Sequence, residues 1–201
     1  MANKNDWVKS RSVIVIFLAL ICLGAIVVFS HLNQDLVVED TADWNLTLVG
    51  NGKEMVLSLE DLKAMPATEG YGGFFTTVGV LNGPYKCRGV PVVDLCQFVS
   101  ELNSSNLIRI SALDGYMISF STDQVWGDFH TFDPDSFREV PHKELTMILM
   151  YEQDGDLLSD YNGKPFRIAI VSSDNEFVVT EGHNWVKWVE KIEVRVPVLS
   201  T

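Results

Sequence analysis

Residues 83–95 read GPYKCRGVPVVDL, and the order of residue types predicts a strand that passes straight into a helix. PYKCRGV reads as a strand end. Pro91 follows, with its φ already set and no N–H to lose, which suits the first turn of a helix. Behind it Val92, Leu95, Cys96 and Val99 recur at the spacing of one helix face through VVDLCQFVSEL. Free cysteine at such a place behaves as a small hydrophobe.

Working outward toward the N-terminus, WNLTLVG alternates apolar and polar side chains. It then meets Gly50, Asn51 and Gly52, the grammar of a strand entering a hairpin turn, with MVLSL as the partner strand. Ser58 followed by Glu60 and Asp61 offers a helix N-cap with an acidic first turn, so SLEDLKAM is predicted as a short helix ended by Pro66. EGYGGFFTTVGVLNG is rich in Gly and aromatics and predicts a strand with loops where backbone approaches a neighbour closely.

Toward the C-terminus, LIRISAL and YMISFS flank a turn at Asp114 and Gly115. ELTMILMYE and FRIAIVS are further strands, and HNWVKWVEKIEVRV is predicted to begin as a short helix and end as a closing strand. The stretch 123–143 has no clear period and is expected to be a partly ordered excursion. Strands and helices alternate without regular βαβ spacing, so the fold class is α+β, a mixed, mainly antiparallel sheet or barrel with short helices.

Four stretches in order, GPYKCRGVPVVDL, ALDGYMISF (112–120), NGKPFRIAI (162–170) and NWVKWVEKIEV (184–194), resemble the oxidoreductase molybdopterin-binding domain, the fold of sulfite oxidase and its bacterial relatives. The resemblance spans about residues 44–196. It implies a molybdopterin-type cofactor held in a pocket lined by the Thr76 and Thr77 segment, Arg167, His183 and Lys187. In that family a cysteine upstream of the Gly-Val-Pro turn gives a thiolate to the metal; here the matching place holds Thr76 and Thr77. A threonine hydroxyl, unionised near neutral pH, is a poor substitute for soft sulfur, so no metal ligand is assigned. The family's Arg strand continues into a Pro-Gly turn, where this chain has Val171, Ser172, Ser173 and Asp174.

Ahead of this domain, residues 13–29 form an unbroken apolar run, VIVIFLALICLGAIVVF, about 25 Å long as a helix and enough to cross a bilayer core with its flanks. Lys4, Lys9 and Arg11 precede it and Asp35, Glu39 and Asp40 follow it, which keeps the N-terminus inside. The expected organisation is a cytoplasmic N-terminus at 1–11, a transmembrane helix at 12–30, a tether at 31–43 and an extracytoplasmic molybdopterin-binding-like domain at 44–201. A cleaved signal peptide is the alternative.

The 201-residue chain carries a net charge of −12. Three of its 15 basic and one of its 27 acidic residues precede the apolar run, leaving about −14 beyond it. Such a field repels nucleic-acid phosphates. No nucleotide-binding glycine loop or serine-hydrolase elbow is present.

His130, Asp133, Asp135, His142 and His183 lack metal-ligand spacing. Glu181 with His183 forms an acid–base pair in sequence beside Lys187. Cys87 and Cys96 face a compartment where disulfides persist, and pairing stays open. The reading carried forward is a membrane-anchored binding module for a small ligand or a membrane-associated protein partner. The alternative is an oxidoreductase or redox accessory that uses a molybdopterin-type cofactor.

Overall fold

A computed structural model describes residues 44–141, 144–172, 174 and 176–196. In chain order the described elements are β1 (Asn45–Gly50), β2 (Lys53–Ser58), α1 (Leu59–Ala64), β3 (Thr68–Phe75), β4 (Leu81–Pro91), α2 (Val92–Gln97), β5 (Leu107–Ala112) and β6 (Met117–Ser121). There follow α3 (Thr122–Val125), β7 (Thr131–Phe132), β8 (Glu139–Val140), β9 (Leu145–Gln153), β10 (Asp156–Leu157), β11 (Arg167–Ser172), β12 (Val178–Glu181), a 3₁₀ turn (Gly182–Asn184) and β13 (Val189–Arg195). The described chain is mostly strand with a few short helices, as the α+β reading expects.

One sheet has the order β2-β1-β13-β5-β6. Leu46 and Leu48 of β1, Ile108 and Ile110 of β5 and Ile192 of β13 turn to its buried face. Each such side chain contributes roughly 1.5–3 kcal/mol by leaving water. The β1–β2 hairpin turns through Asn51 and Gly52, both at positive φ, as an Asn-Gly turn requires. Ser58 then caps α1 in a capping box: its hydroxyl accepts from the Asp61 N–H, and the Asp61 carboxylate accepts from the Ser58 N–H at 2.9 Å.

The second sheet runs β10-β9-β11-β3-β12-β7-β8, and β4 pairs with both β3 and β9. Because β11 also pairs with both, β3, β4, β9 and β11 close into a small barrel-like ring. All six residues of β11 are buried, which explains the apolar run Ile168–Val171 between the buried polar ends Arg167 and Ser172. All pairings are antiparallel except β1 with β13 and β3 with β12.

Several details differ from the sequence reading. The helix after Pro91 stops at Gln97, where i→i−3 bonds from Phe98 and Val99 tighten and end it. The partly ordered stretch 123–143 has defined elements: α3, under a Ser121–Gln124 capping box, runs into it, and β7 and β8 form a short hairpin within it. Helix at the start of HNWVKWV is confined to Gly182–Asn184. The Val186 carbonyl accepts from the Ile168 N–H and the Val189 N–H donates to the Phe166 carbonyl, so pairing with β11 pulls that segment straight. Cys87 and Cys96 are both free and buried. No helix among the described residues is long and apolar enough to cross a membrane; the apolar run at 13–29 lies outside them.

Candidate functional site

The parallel pairing of β3 with β12 sets Phe75 opposite Glu181. Two chain segments therefore leave the same end of adjacent parallel strands: the turn at 76–80 and the stretch 182–188. Crevices beyond the carboxyl ends of such strands are natural places for ligands. Between them lies a cavity of about 400 Å³, lined by Phe74, Thr76, Thr77, His183, Trp185 and Lys187, with Asp114, Tyr116 and Trp188 also on its wall.

Four of the five residues singled out in sequence thus face one hollow. The fifth, Arg167, does not line it but lies behind its aromatic wall. At the start of β11 it is 3 % exposed. Its guanidinium carbon sits 5.1 Å from the Phe74 ring centre and 5.3 Å from that of Trp185. Those two rings are themselves 5.2 Å apart. Among the described residues no carboxylate pairs with Arg167, and its Nε is buried without a hydrogen-bond partner.

Burial holds the Arg167 pKa below the ordinary range, opposed by Tyr85 and Cys87 nearby. Burial also lowers Lys187, and the charge on Arg167 lowers it further. The two cations therefore sense one another across the wall. A buried charge without a partner is costly, and an anion entering the cavity would relieve that cost.

The surrounding chain fixes this arrangement. The Lys187 Nζ donates to the Tyr161 carbonyl at 2.5 Å and lies 4.8 Å from the Tyr161 ring centre. The Trp188 Nε1–H donates to the Asp160 carbonyl at 3.1 Å. Gly163, at φ +106°, lies beneath Lys187, where an added Cβ would stand 3.0 Å from its Cβ. On the opposite side the Trp185 Nε1–H donates to Thr180 Oγ1 at 2.9 Å. Gly72 lets β3 pass so close that a Cβ there would lie 2.3 Å from the Ile170 carbonyl oxygen and 3.1 Å from the Trp185 ring.

Thr76 Oγ1 accepts from the Val80 N–H at 3.0 Å, so part of its hydrogen-bonding capacity serves the turn. His183 Nε2 stands 3.9 Å from Glu181 Oε2. Asp114 accepts from the Tyr116 N–H at 2.9 Å at the rim.

The domain's fold is similar to that of the sulfane dehydrogenase SoxCD from Paracoccus pantotrophus, with a TM-score of 0.58 at 18% sequence identity. The alignment covers 82% of this chain and 41% of that one. No family model and no curated protein matches the chain. The likeness is one of fold, and this chain spans about two fifths of its neighbour's length.

The thiols stand apart from the cavity. Cys87 is fully buried on β4, its Sγ 3.6 Å from the Tyr85 carbonyl, and burial pushes its pKa up to about 12. Cys96 is pushed up to about 12 by the same cause. Neither lines the cavity that holds Thr76 and Thr77. Among the described residues no group of three or more His, Cys, Asp or Glu side chains is arranged to hold a metal. His130 instead bonds Glu139 at 2.7 Å, and Asp133 accepts from the Ser136 N–H; His142 lies outside the described residues.

Sequence reasoning missed Phe74 and Trp185 as the wall over Arg167. It also missed β12, whose run of β-branched Val178, Val179 and Thr180 was the available signal.

Proposed function

We propose that this chain is a membrane-anchored, extracytoplasmic binding module whose ligand is a small anionic molecule with a planar ring, of the molybdopterin class. One observation carries the reading: two cations, Arg167 and Lys187, adjoin a ring-walled cavity of ligand size, and the inner one has no counter-charge among the described residues. Phosphate answers the cations, and a heterocycle answers the faces of Phe74 and Trp185. The sequence resemblance to molybdopterin-binding domains and the fold likeness to a sulfane dehydrogenase support the same class.

The residues fit the organic part of such a cofactor and not its metal. Lys187 would meet its phosphate, Arg167 would add positive charge from behind the aromatic wall, and Trp185 and Phe74 would meet its ring. Where a thiolate is needed, the cavity offers the hydroxyls of Thr76 and Thr77, and Cys87 is protonated and elsewhere. Binding rather than sulfite-oxidase-type turnover follows.

The membrane anchor rests on the apolar run at 13–29 and the basic residues before it. A second reading, an oxidoreductase or redox accessory, draws on the neighbour's being a dehydrogenase and on the Glu181–His183 pair beside Lys187.

The test is to purify the full chain from a host supplied with molybdopterin and assay the denatured supernatant for pterin fluorescence, phosphate and molybdenum. Pterin and phosphate in stoichiometric amount, lost in Lys187→Ala, is the expected result. Release of neither overturns the proposal, while stoichiometric molybdenum with sulfur-compound oxidation would favour the second reading.

A further inference from the structure

Three loop tips around the mouth of the cavity carry large apolar or aromatic side chains into solvent. The turn at 76–80, whose Thr76 and Thr77 line the cavity, holds Val78, 82 % exposed, and exposed Val80. It is drawn tight by the Thr76 N–H, which donates to the Val80 carbonyl at 3.0 Å, and by the Gly79 N–H, which donates to the Thr76 carbonyl at 2.9 Å. The turn after β5 holds exposed Leu113 and Tyr116, and the Leu113 N–H donates to the Trp188 carbonyl at 2.9 Å, which fixes this turn to the cavity wall. The third tip is Tyr161, 84 % exposed, whose carbonyl accepts from the Lys187 Nζ. Both turns stand clear of the fold, since a Cβ added at Gly79 or Gly115 would meet nothing within 4 Å. A single exposed leucine is ordinary. Apolar tips on separate segments around one opening mark a contact surface.

The topology says what lies beside them. β13 begins at Val189, opposite Ala112 at the end of β5, and the parallel register that sets Thr47 beside Lys191 brings Asn45 toward Val189. Trp44, through which the preceding chain joins the domain, and the 113–116 turn therefore share one end of the sheet, about 10 Å apart at two strand spacings. Residues 30–43 separate Trp44 from the apolar run at 13–29 and reach at most about 50 Å when fully extended. A bilayer that holds the run keeps the tips at high local concentration against its surface, so each tip needs only a weak affinity for lipid.

We propose that these tips rest in the headgroup layer of a zwitterionic bilayer, so that the cavity opens at the lipid surface. Val78, Val80 and Leu113 supply short apolar insertions. Tyr116 and Tyr161 supply rings with a polar end, the kind of side chain that settles at a membrane–water boundary. Charge does not drive the contact, because the net charge of −12 opposes an anionic surface. Prongs from separate turns suit a soft lipid layer that closes around each, whereas a rigid protein face would need a matching socket for every one. The inference rests on the anchor proposed at 13–29 and is independent of what the cavity binds.

The full chain carrying Cys22→Ser, whose remaining thiols are buried, receives one new cysteine: Val78→Cys, Leu113→Cys or Tyr161→Cys at the tips, or Lys53→Cys at the opposite end of the same sheet. Each bears a nitroxide label and is reconstituted into phosphatidylcholine vesicles. Electron paramagnetic resonance then compares accessibility to oxygen, which concentrates in lipid, with accessibility to a water-soluble nickel chelate. A several-fold higher oxygen-to-nickel ratio is expected at the three tips than at Lys53→Cys, and the ratio at Tyr161→Cys should fall when Val78→Asp is added. Resistance to alkaline carbonate extraction reports the anchor separately. A carbonate-resistant chain whose tips are as water-exposed as Lys53→Cys, as a surface kept for a protein partner would be, overturns the docking alone, and so does a Tyr161→Cys ratio indifferent to Val78→Asp. A chain that carbonate strips from the vesicles overturns the anchor, and the docking with it.

Discussion

Arg167 and Trp185 stand 5.3 Å apart, guanidinium carbon to ring centre, with the ring between a buried cation and an open cavity. A cation–π contact of this kind contributes about 0.5–2 kcal/mol. That is less than the several kcal/mol needed to bury a lone charge. On this balance the ligand-free fold carries Arg167 at a net cost.

Arg167→Met should therefore stabilise the ligand-free protein, by about 1–3 kcal/mol. For a domain of this size that is a rise of about 2–4 °C in Tm per kcal/mol. The same variant should lose binding of phosphorylated ring compounds. Calorimetric melting paired with a binding titration checks both, and a lower Tm in the variant would show that the arginine is a net stabiliser.

Lys187 makes a pH prediction. Its pKa is below the ordinary 10.5 in the fold, through burial first and the Arg167 charge second. Between that lowered value and 10.5 the unfolded chain binds more protons than the folded one, so ligand-free stability climbs as pH rises through this window. Affinity for an anion runs the other way, falling as Lys187 deprotonates. Tm and affinity measured across alkaline pH should show these opposite slopes in the parent and not in Lys187→Met.

The thiols predict silence. With both pKa values near 12, only about one thiol in ten thousand is ionised at pH 8. In a Cys22→Ser chain, a disulfide-exchange reagent should find no reactive cysteine in the native state and two after denaturation. Rapid native labelling at Cys87 would reopen the question of sulfur reaching the cavity.

Gly72→Ala should be destabilising by about 1–3 kcal/mol, because its Cβ would collide with the Ile170 carbonyl oxygen and press on the Trp185 ring. Tryptophan fluorescence should shift along with the loss of stability. A fold and spectrum unchanged by this substitution would mean that β3 does not pass where it is placed.

Much of this architecture is readable from local sequence, because local chemistry decides it. The Asn51-Gly52 turn, the Ser58 cap and the Val92, Leu95 and Cys96 helix face each contain their own signal within a few residues. Elements fixed by distant partners are harder to read. β12 is four residues long and β7 and β8 two each, too short to show a period, and only pairing makes them strands. The α3 start was legible in principle, since Ser121 and Gln124 hold the spacing of a capping box.

For the site, the order of motifs brought Thr76, Thr77, His183 and Lys187 to attention, and the fold gathers them around one cavity. It could not say that Arg167 sits behind the rings rather than beside them.

The pairing of β3 with β12 joins segments roughly a hundred residues apart. A chain still emerging from the ribosome has therefore built only one bank of the cavity until the 182–188 stretch is made. The cavity is therefore a late product of chain assembly, complete only once β12 has paired with β3.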